Sequence, residues 1–168
     1  MQTTTLDILG KMVLMLVLCV AQALVLNHIH LFDCATPLLY VYFVVLFQCH
    51  YPSWAIMLWS FVMGLILDSF ANTPGLTSAS LTFLAALQPY ILRLFVRRDD
   101  DDFVRPAAST LGVGKYVSYV AICVFLYSVV FFSLESFSFF NWRQWLFCIV
   151  GSSLLTIILI ISLESVRR

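Results

Sequence analysis

The sequence predicts an all-α integral membrane protein, with six transmembrane helices forming one domain over residues 1–168. The first reason is composition: 62% of residues are hydrophobic and 11% are charged, whereas soluble domains have about 45–50% apolar and about 25% charged residues. The second is that apolar runs of nearly membrane-crossing length recur along the chain. The third is that, with six crossings, almost all basic residues fall on one side of the membrane.

The first three predicted spans occupy residues 9–27, 36–49 and 53–71. The first apolar run continues past Ala21–Ala23, which imitates a signal-peptide cleavage site, so we predict an uncleaved helix. Thr36–Pro37 offers an N-cap and a first-turn proline for the second span. This span is short, and three alternatives stay open: it crosses with little tilt, it thins the bilayer locally, or it is partly re-entrant.

The other three predicted spans occupy residues 76–96, 113–134 and 142–163. Pro89 lies inside the fourth and predicts a kink, because proline lacks the N–H that an interior helical position donates. The connection after the fourth span contains Asp99–Asp102. Like charges in a row stay solvated, which favours a hydrated connector; a docking segment for a soluble partner is the alternative.

Eight of the nine lysine and arginine residues lie on one side of this six-span arrangement. They are Lys11, Arg93, Arg97, Arg98, Arg105, Lys115, Arg167 and Arg168. Only Arg143 lies on the other side. Because lysine and arginine are enriched in cytoplasmic loops, both termini are predicted to be cytoplasmic. Five spans, with the second and third runs merged, would divide the basic residues between both sides, so the charges favour six.

No pattern in the sequence supports catalysis, a cofactor or a resident metal. His28 and His30 have Asp33 nearby, but without further ligands a polar loop is favoured over a surface metal site. The chain lacks His-Glu-x-x-His and Gly-x-Ser-x-Gly, the signatures of zinc proteases and of serine hydrolases. Its formal net charge is zero, so no basic field attracts nucleic acid. We predict a non-enzymatic protein without cofactor, metal or nucleic-acid partner.

One carboxylate, that of Asp68, lies inside an apolar run. It comes about one helical turn before the end of the third span, and Asn72–Gly75 (Asn-Thr-Pro-Gly) then forms a strong turn signal. A charge that faces lipid costs several kcal/mol, so Asp68 should face the bundle, water or a partner. Two roles stay open: its carboxylate caps the free N–H groups of the next helix, or it contacts a partner or ligand.

Small and hydroxyl residues flank this turn on both sides. Ser60, Gly64 and Asp68 are spaced by four in the third span, and Ser78, Thr82 and Ala86 repeat the spacing in the fourth. Each set shares one helix face, where small residues let helices approach closely and hydroxyls can hydrogen-bond across the contact. The candidates for a helix corner or a partner contact are Gly64, Asp68, Asn72, Pro74, Gly75, Ser78 and Thr82.

Two stretches carry a resemblance to a known family. Thr36–Phe43 reads Thr-Pro-Leu-Leu-Tyr-Val-Tyr-Phe, and Gly64–Asp68 (Gly-Leu-Ile-Leu-Asp) precedes Asn72–Gly75 and a small-residue helix. With six spans in a chain of this size, the sequence resembles the rod shape-determining protein MreD family, most clearly over residues 31–98. The resemblance carries over Gly64, Asp68, Pro74 and Gly75 as shaping or contacting elements.

The resemblance implies a component of the bacterial cell-elongation complex in the cytoplasmic (inner) membrane, supporting rod shape and lateral peptidoglycan synthesis. The implied partners are an MreC-type bitopic membrane protein and, indirectly, MreB, RodA and a penicillin-binding transpeptidase. The family is also thought to resemble S components of energy-coupling-factor transporters in fold. A vitamin-binding S component is therefore the alternative. That class usually has alanines four apart in its first span, whereas Ala21 and Ala23 are two apart.

Overall fold

The computed structural model describes residues 2–24, 36–48, 51–73, 75–96, 111–135 and 142–167, and the regular secondary structure of these ranges is helical. In order, the helices are α1 (Gln2–Leu24), α2 (Val41–Val45), α3 (Ser53–Ala71), α4 (Leu76–Phe95), α5 (Val113–Glu135) and α6 (Trp142–Arg167). By length and composition, α3, α5 and residues Trp145–Val166 of α6 can cross a membrane. The prediction of a helical membrane protein is confirmed to this extent.

Several predictions concern residues outside the described ranges. They include the end of the first predicted span (residues 25–27), the His28, His30 and Asp33 group, Pro74, the Asp99–Asp102 run, and the basic residues Arg97, Arg98, Arg105 and Arg168. α4 continues through Pro89, so this proline does not end the helix, and the kink stays a prediction. The number of crossings also stays a prediction.

The polarity of the bundle is that of a protein surrounded by lipid. Its outer faces carry large apolar side chains, such as Val13 of α1, Phe125 of α5 and Phe147 of α6, which is 75% exposed. Polar side chains lie inside instead: Gln88 of α4 and Ser128 of α5 have no exposed surface. In water an apolar surface of this extent would be unfavourable. Lipid tails are as apolar as these side chains, so the arrangement suits a membrane.

The helices pack in sequence order around one buried segment. α3 and α4 form the closest pair, α4 packs against α5, and α5 packs against α6. α1 lies against α3, and α2 contacts all of α1, α3, α4 and α5. We call residues 36–48, which include α2, the buried segment, because Val41, Val44 and Val45 have no exposed surface.

The buried segment differs from the predicted second helix. Its helical part is only Val41–Val45 and begins after Tyr40, so the predicted helix start at Thr36–Pro37 is wrong. Five helical residues extend about 7.5 Å, far less than the roughly 30 Å of a bilayer core. The shortness noted in the sequence therefore reflects a segment that is mostly non-helical.

Side chains from two helices hold the first part of the buried segment. The Gln22 amide of α1 donates from Nε2 to the carbonyl of Pro37 (2.9 Å) and accepts the Leu39 N–H at Oε1 (3.3 Å). On the other side, the hydroxyls of Ser152 and Thr156 in α6 accept the N–H groups of Thr36 and Leu38, at 3.1 and 3.0 Å. Non-helical backbone at membrane depth is tolerated only when protein or water satisfies it, and these bonds do so.

The second part of the buried segment is held by α4, α5 and α6. Gln88 donates to the carbonyl of Phe47 (3.0 Å), and the Tyr119 hydroxyl donates to that of Val45 (3.3 Å). The Tyr42 hydroxyl donates to Glu164 at 2.9 Å. Along α6, the contacts run from Ser152 to Glu164, which are about 18 Å apart. The buried segment therefore runs lengthwise through the bundle.

Candidate functional site

The corner between α3 and α4 is built around the carboxylate of Asp68. Oδ1 accepts the Thr77 N–H at 2.8 Å, and Oδ2 accepts the Ser78 N–H at 3.0 Å. These residues are the second and third of α4, where backbone N–H groups have no partner within the helix. Asp68 thus caps α4 from the end of the preceding helix, and the predicted capping role is confirmed.

The electrostatics of the corner favour a negative charge at this position. Asp68 is 5% exposed, and it lies at the positive end of the α4 dipole. Gly75, the residue before α4, has no side chain that could cap the helix. The Thr73 hydroxyl adds a third donor, 3.3 Å from Oδ1. The carboxylate is therefore balanced by dipoles of the same corner, since hydrogen bonds to a charged acceptor are stronger than neutral ones.

The turn between the helices depends on two left-handed residues. Asn72 has φ 58° and ends α3, and its N–H donates to the carbonyl of Asp68. Asparagine is among the few residues with a Cβ that adopt this conformation readily. Gly75 has φ 85°, which glycine adopts without steric cost. The Asn-Thr-Pro-Gly signal therefore encodes the observed reversal of the chain.

The helices touch backbone to backbone just below the turn. A Cβ atom added to Gly64 would lie 2.3 Å from Cα of Ser78, so only glycine fits. This confirms the close approach predicted from the small residues. The Thr82 hydroxyl, however, donates to the carbonyl of Ser78 in its own helix at 2.7 Å. This hydroxyl therefore bonds within its own helix, where the carbonyl four residues earlier is within reach.

The seven candidates divide by burial into two groups. Gly64, Asp68 and Ser78 are buried between the helices, and Thr82 is partly buried. Asn72 and Gly75 are exposed. Beside them lies Phe70, which is 67% exposed. The buried residues fix the geometry of the corner, and the exposed ones form a surface that a partner can reach. We call Phe70, Ala71, Asn72 and Gly75 the corner rim.

Sequence reasoning missed the residues that hold the buried segment. Gln22, Gln88, Ser152 and Thr156 are not among the candidates that the sequence patterns indicate. Polar residues inside apolar runs are rare, and they normally face the bundle interior. The spacing of four between Ser152 and Thr156 was also visible in the sequence. These signals show that the side chains point inward, but not which backbone groups they bind.

Among the described residues, no group of three or more His, Cys, Asp or Glu side chains could hold a metal ion. The geometry therefore defines a class: a helical membrane protein with a carboxylate-capped helix corner and a buried, mostly non-helical segment. Comparison with known proteins gives no closer identity, since no family model, no curated protein and no solved structure matches the chain.

Proposed function

We propose that this chain is a six-span, non-enzymatic component of the bacterial cell-elongation complex in the inner membrane. It supports rod shape and lateral peptidoglycan synthesis by binding an MreC-type protein, and through it acts with MreB, RodA and a penicillin-binding transpeptidase. The observation that carries the proposal is the α3–α4 corner. Of the residues behind the resemblance to the MreD family, Gly64, Asp68, Asn72 and Gly75 contribute to one corner with an exposed rim.

The path of the buried segment supports six crossings with cytoplasmic termini. It starts beside Gln22, near the end of α1, where Gln22 bonds Pro37 and Leu39. Its end lies about three helical turns nearer the start of α1, where the Lys11 ammonium is 5.2 Å from the ring centre of Phe47. The chain therefore returns along α1 before α3 begins. A return of this kind is what the six-span arrangement inferred from the basic residues needs between its first and third helices.

The use of the polar side chains favours a scaffold over a vitamin-binding S component. Such a binder needs polar groups that converge on a substrate. Here both polar atoms of the Gln22 amide bond the backbone of the buried segment. The Asp68 carboxylate bonds the start of α4. These groups serve the fold, while the corner rim is exposed. A likeness to the S-component fold stays a prediction.

The proposal is tested by partner capture from a rod-shaped bacterium that expresses the full chain. After extraction in mild detergent, we expect an MreC-type protein to co-purify. Phe70→Ala should reduce its recovery, because Phe70 is the largest side chain of the corner rim. Phe147→Ala is the matched control, since Phe147 is equally apolar and also exposed but lies on α6. Recovery of a tightly bound vitamin without any MreC-type protein would overturn the proposal.

A further inference from the structure

The long helices and the start of the buried segment satisfy their backbones in different ways. An α-helix hydrogen-bonds its own interior N–H and C=O groups. Thr36, Leu38 and Leu39 instead depend on side chains of α1 and α6. We propose that residues 36–42, which we call the strap, are the last element to dock in the bundle and the first to open, and that Ser152 and Thr156 of α6 hold them.

The two hydroxyls of α6 match the repeat of an extended chain. Ser152 and Thr156 are four residues apart, so they lie about 6 Å apart along one helix face. Thr36 and Leu38 are two residues apart, which spans about 6.6 Å in an extended chain. Alternate N–H groups of the strap can thus meet successive hydroxyls of α6. Four residues further along the same face of α6 lies Ile160, whose side chain offers no hydrogen-bond acceptor. Near this level of α6 the non-helical part of the strap ends and α2 begins.

The opposite edge of the strap is bound by a single side chain. Because the Gln22 amide both donates to Pro37 and accepts from Leu39, it imitates the peptide group of a neighbouring strand. The far end of the strap is fixed through its own two tyrosines, Tyr40 and Tyr42, which bond α5 and α6. Tyr40 and Tyr127 have hydroxyls 2.7 Å apart, and Tyr42 donates to Glu164. The strap is therefore clamped between α1 and α6.

The order of docking follows from where these partners stand in the sequence. Ser152 and Thr156 come 116 and 118 residues after the N–H groups they accept. In lipid, apolar side chains gain little from burial, and an unsatisfied N–H costs several kcal/mol. The strap is therefore not satisfied until α6 is in place. Asp68, by contrast, accepts N–H groups only 9 and 10 residues away, so the α3–α4 corner closes early at small entropic cost.

The test is backbone amide hydrogen exchange, followed by NMR, on the full chain in lipid nanodiscs. In the unmodified protein, the Leu38 N–H should exchange faster than the Ser78 N–H of the corner. The double variant Ser152→Ala, Thr156→Val should accelerate exchange at Leu38 by about ten- to hundredfold, since two acceptors are lost. Exchange at Ser78 should not change. Ser162→Ala is the matched control, because Ser162 is exposed and bonds only the carbonyl of Ile158 in its own helix.

Two results would overturn the proposal. One is a Leu38 N–H that exchanges no faster than that of Ser78 in the unmodified protein, since this would make the strap as stable as the corner. This measurement needs no variant, so it holds even if the double variant does not fold. The other is equal acceleration at Leu38 and Ser78 in the double variant, because that would mean general destabilisation of the bundle.

Discussion

The α3–α4 corner and the buried segment differ in how they supply hydrogen-bond acceptors to unpaired backbone N–H groups. Each contains backbone N–H groups that helical hydrogen bonding leaves unpaired, and in each case side-chain oxygens accept them. At the corner one charged group, Asp68, serves two N–H groups within ten residues. In the buried segment neutral groups such as Gln22 and Thr156 act from helices distant in sequence. Local capping needs one strong acceptor, whereas remote support needs several helices in place.

The largest effect is expected from removing the acceptor of the corner. Asp68→Ala leaves the buried N–H groups of Thr77 and Ser78 without a partner, which should cost about 3 kcal/mol or more of stability, since bonds to a charged acceptor contribute about 1.5–3 kcal/mol each. Unfolding by denaturant in mixed micelles measures the loss. Asp68→Asn should lose less, because the amide retains one acceptor oxygen.

Asp100→Ala is the control for this substitution in cells. The sequence predicts that Asp100 is solvated, so its removal should leave stability and cell shape unchanged. Rod-shape maintenance at matched expression should therefore fail with Asp68→Ala and persist with Asp100→Ala. Equal behaviour of the two variants would contradict the role of Asp68.

A second effect is expected from adding one methyl group at the helix contact. In Gly64→Ala, the new Cβ would lie 2.3 Å from the Ser78 backbone, so α3 and α4 must separate, at a cost of about 2–3 kcal/mol. Gly10→Ala is the matched control in α1, where the added Cβ has no atom within 4 Å apart from its chain neighbours and the adjacent backbone of its own helix. There alanine should be neutral or stabilising, because it favours helix more than glycine does. Similar unfolding midpoints for both variants would contradict the close contact.

A third, intermediate effect is expected in the buried segment. Gln22→Leu keeps the size of the side chain but removes the bonds to Pro37 and Leu39, which should cost about 1–3 kcal/mol because a buried N–H is left unpaired. The same unfolding assay measures it. Ser118→Ala serves as the control, since its hydroxyl is exposed and bonds only the Gly114 carbonyl of its own helix. A Gln22→Leu protein as stable as this control would show that the clamp contributes nothing.

The smallest effect is expected at Thr82. Its hydroxyl bonds the Ser78 carbonyl within α4, and Thr→Val removes this bond while keeping the branched shape. We expect a change below about 0.5 kcal/mol, because a helical carbonyl keeps its backbone partner and such side-chain bonds add little. A loss comparable to that of Gly64→Ala would instead indicate that Thr82 bonds across the helix contact.

Most of the corner could be predicted from the sequence, because its determinants are neighbours in the chain. Asp68, the Asn72–Gly75 turn and the small residues on either side lie within one helix–turn–helix. The spacing did not decide where the Thr82 hydroxyl bonds, and in the structure it bonds within its own helix. The buried segment could not be predicted in the same way. Thr36–Pro37 is a strong helix start locally, but in the fold the N–H groups of Thr36 and Leu38 lie against Ser152 and Thr156 of α6, which become neighbours only after folding.

By itself the sequence determined the helical membrane class, the limits of α3–α6 to within a few residues, and the carboxylate-capped corner. Hydropathy and turn chemistry act over a few residues, so they can be read directly from the chain. Only the tertiary structure decided that residues 36–40 are not helical and that Gln22, Ser152 and Thr156 support them. In lipid, backbone N–H and C=O groups need hydrogen-bond partners within the protein. For the buried segment, those partners come from helices remote in sequence.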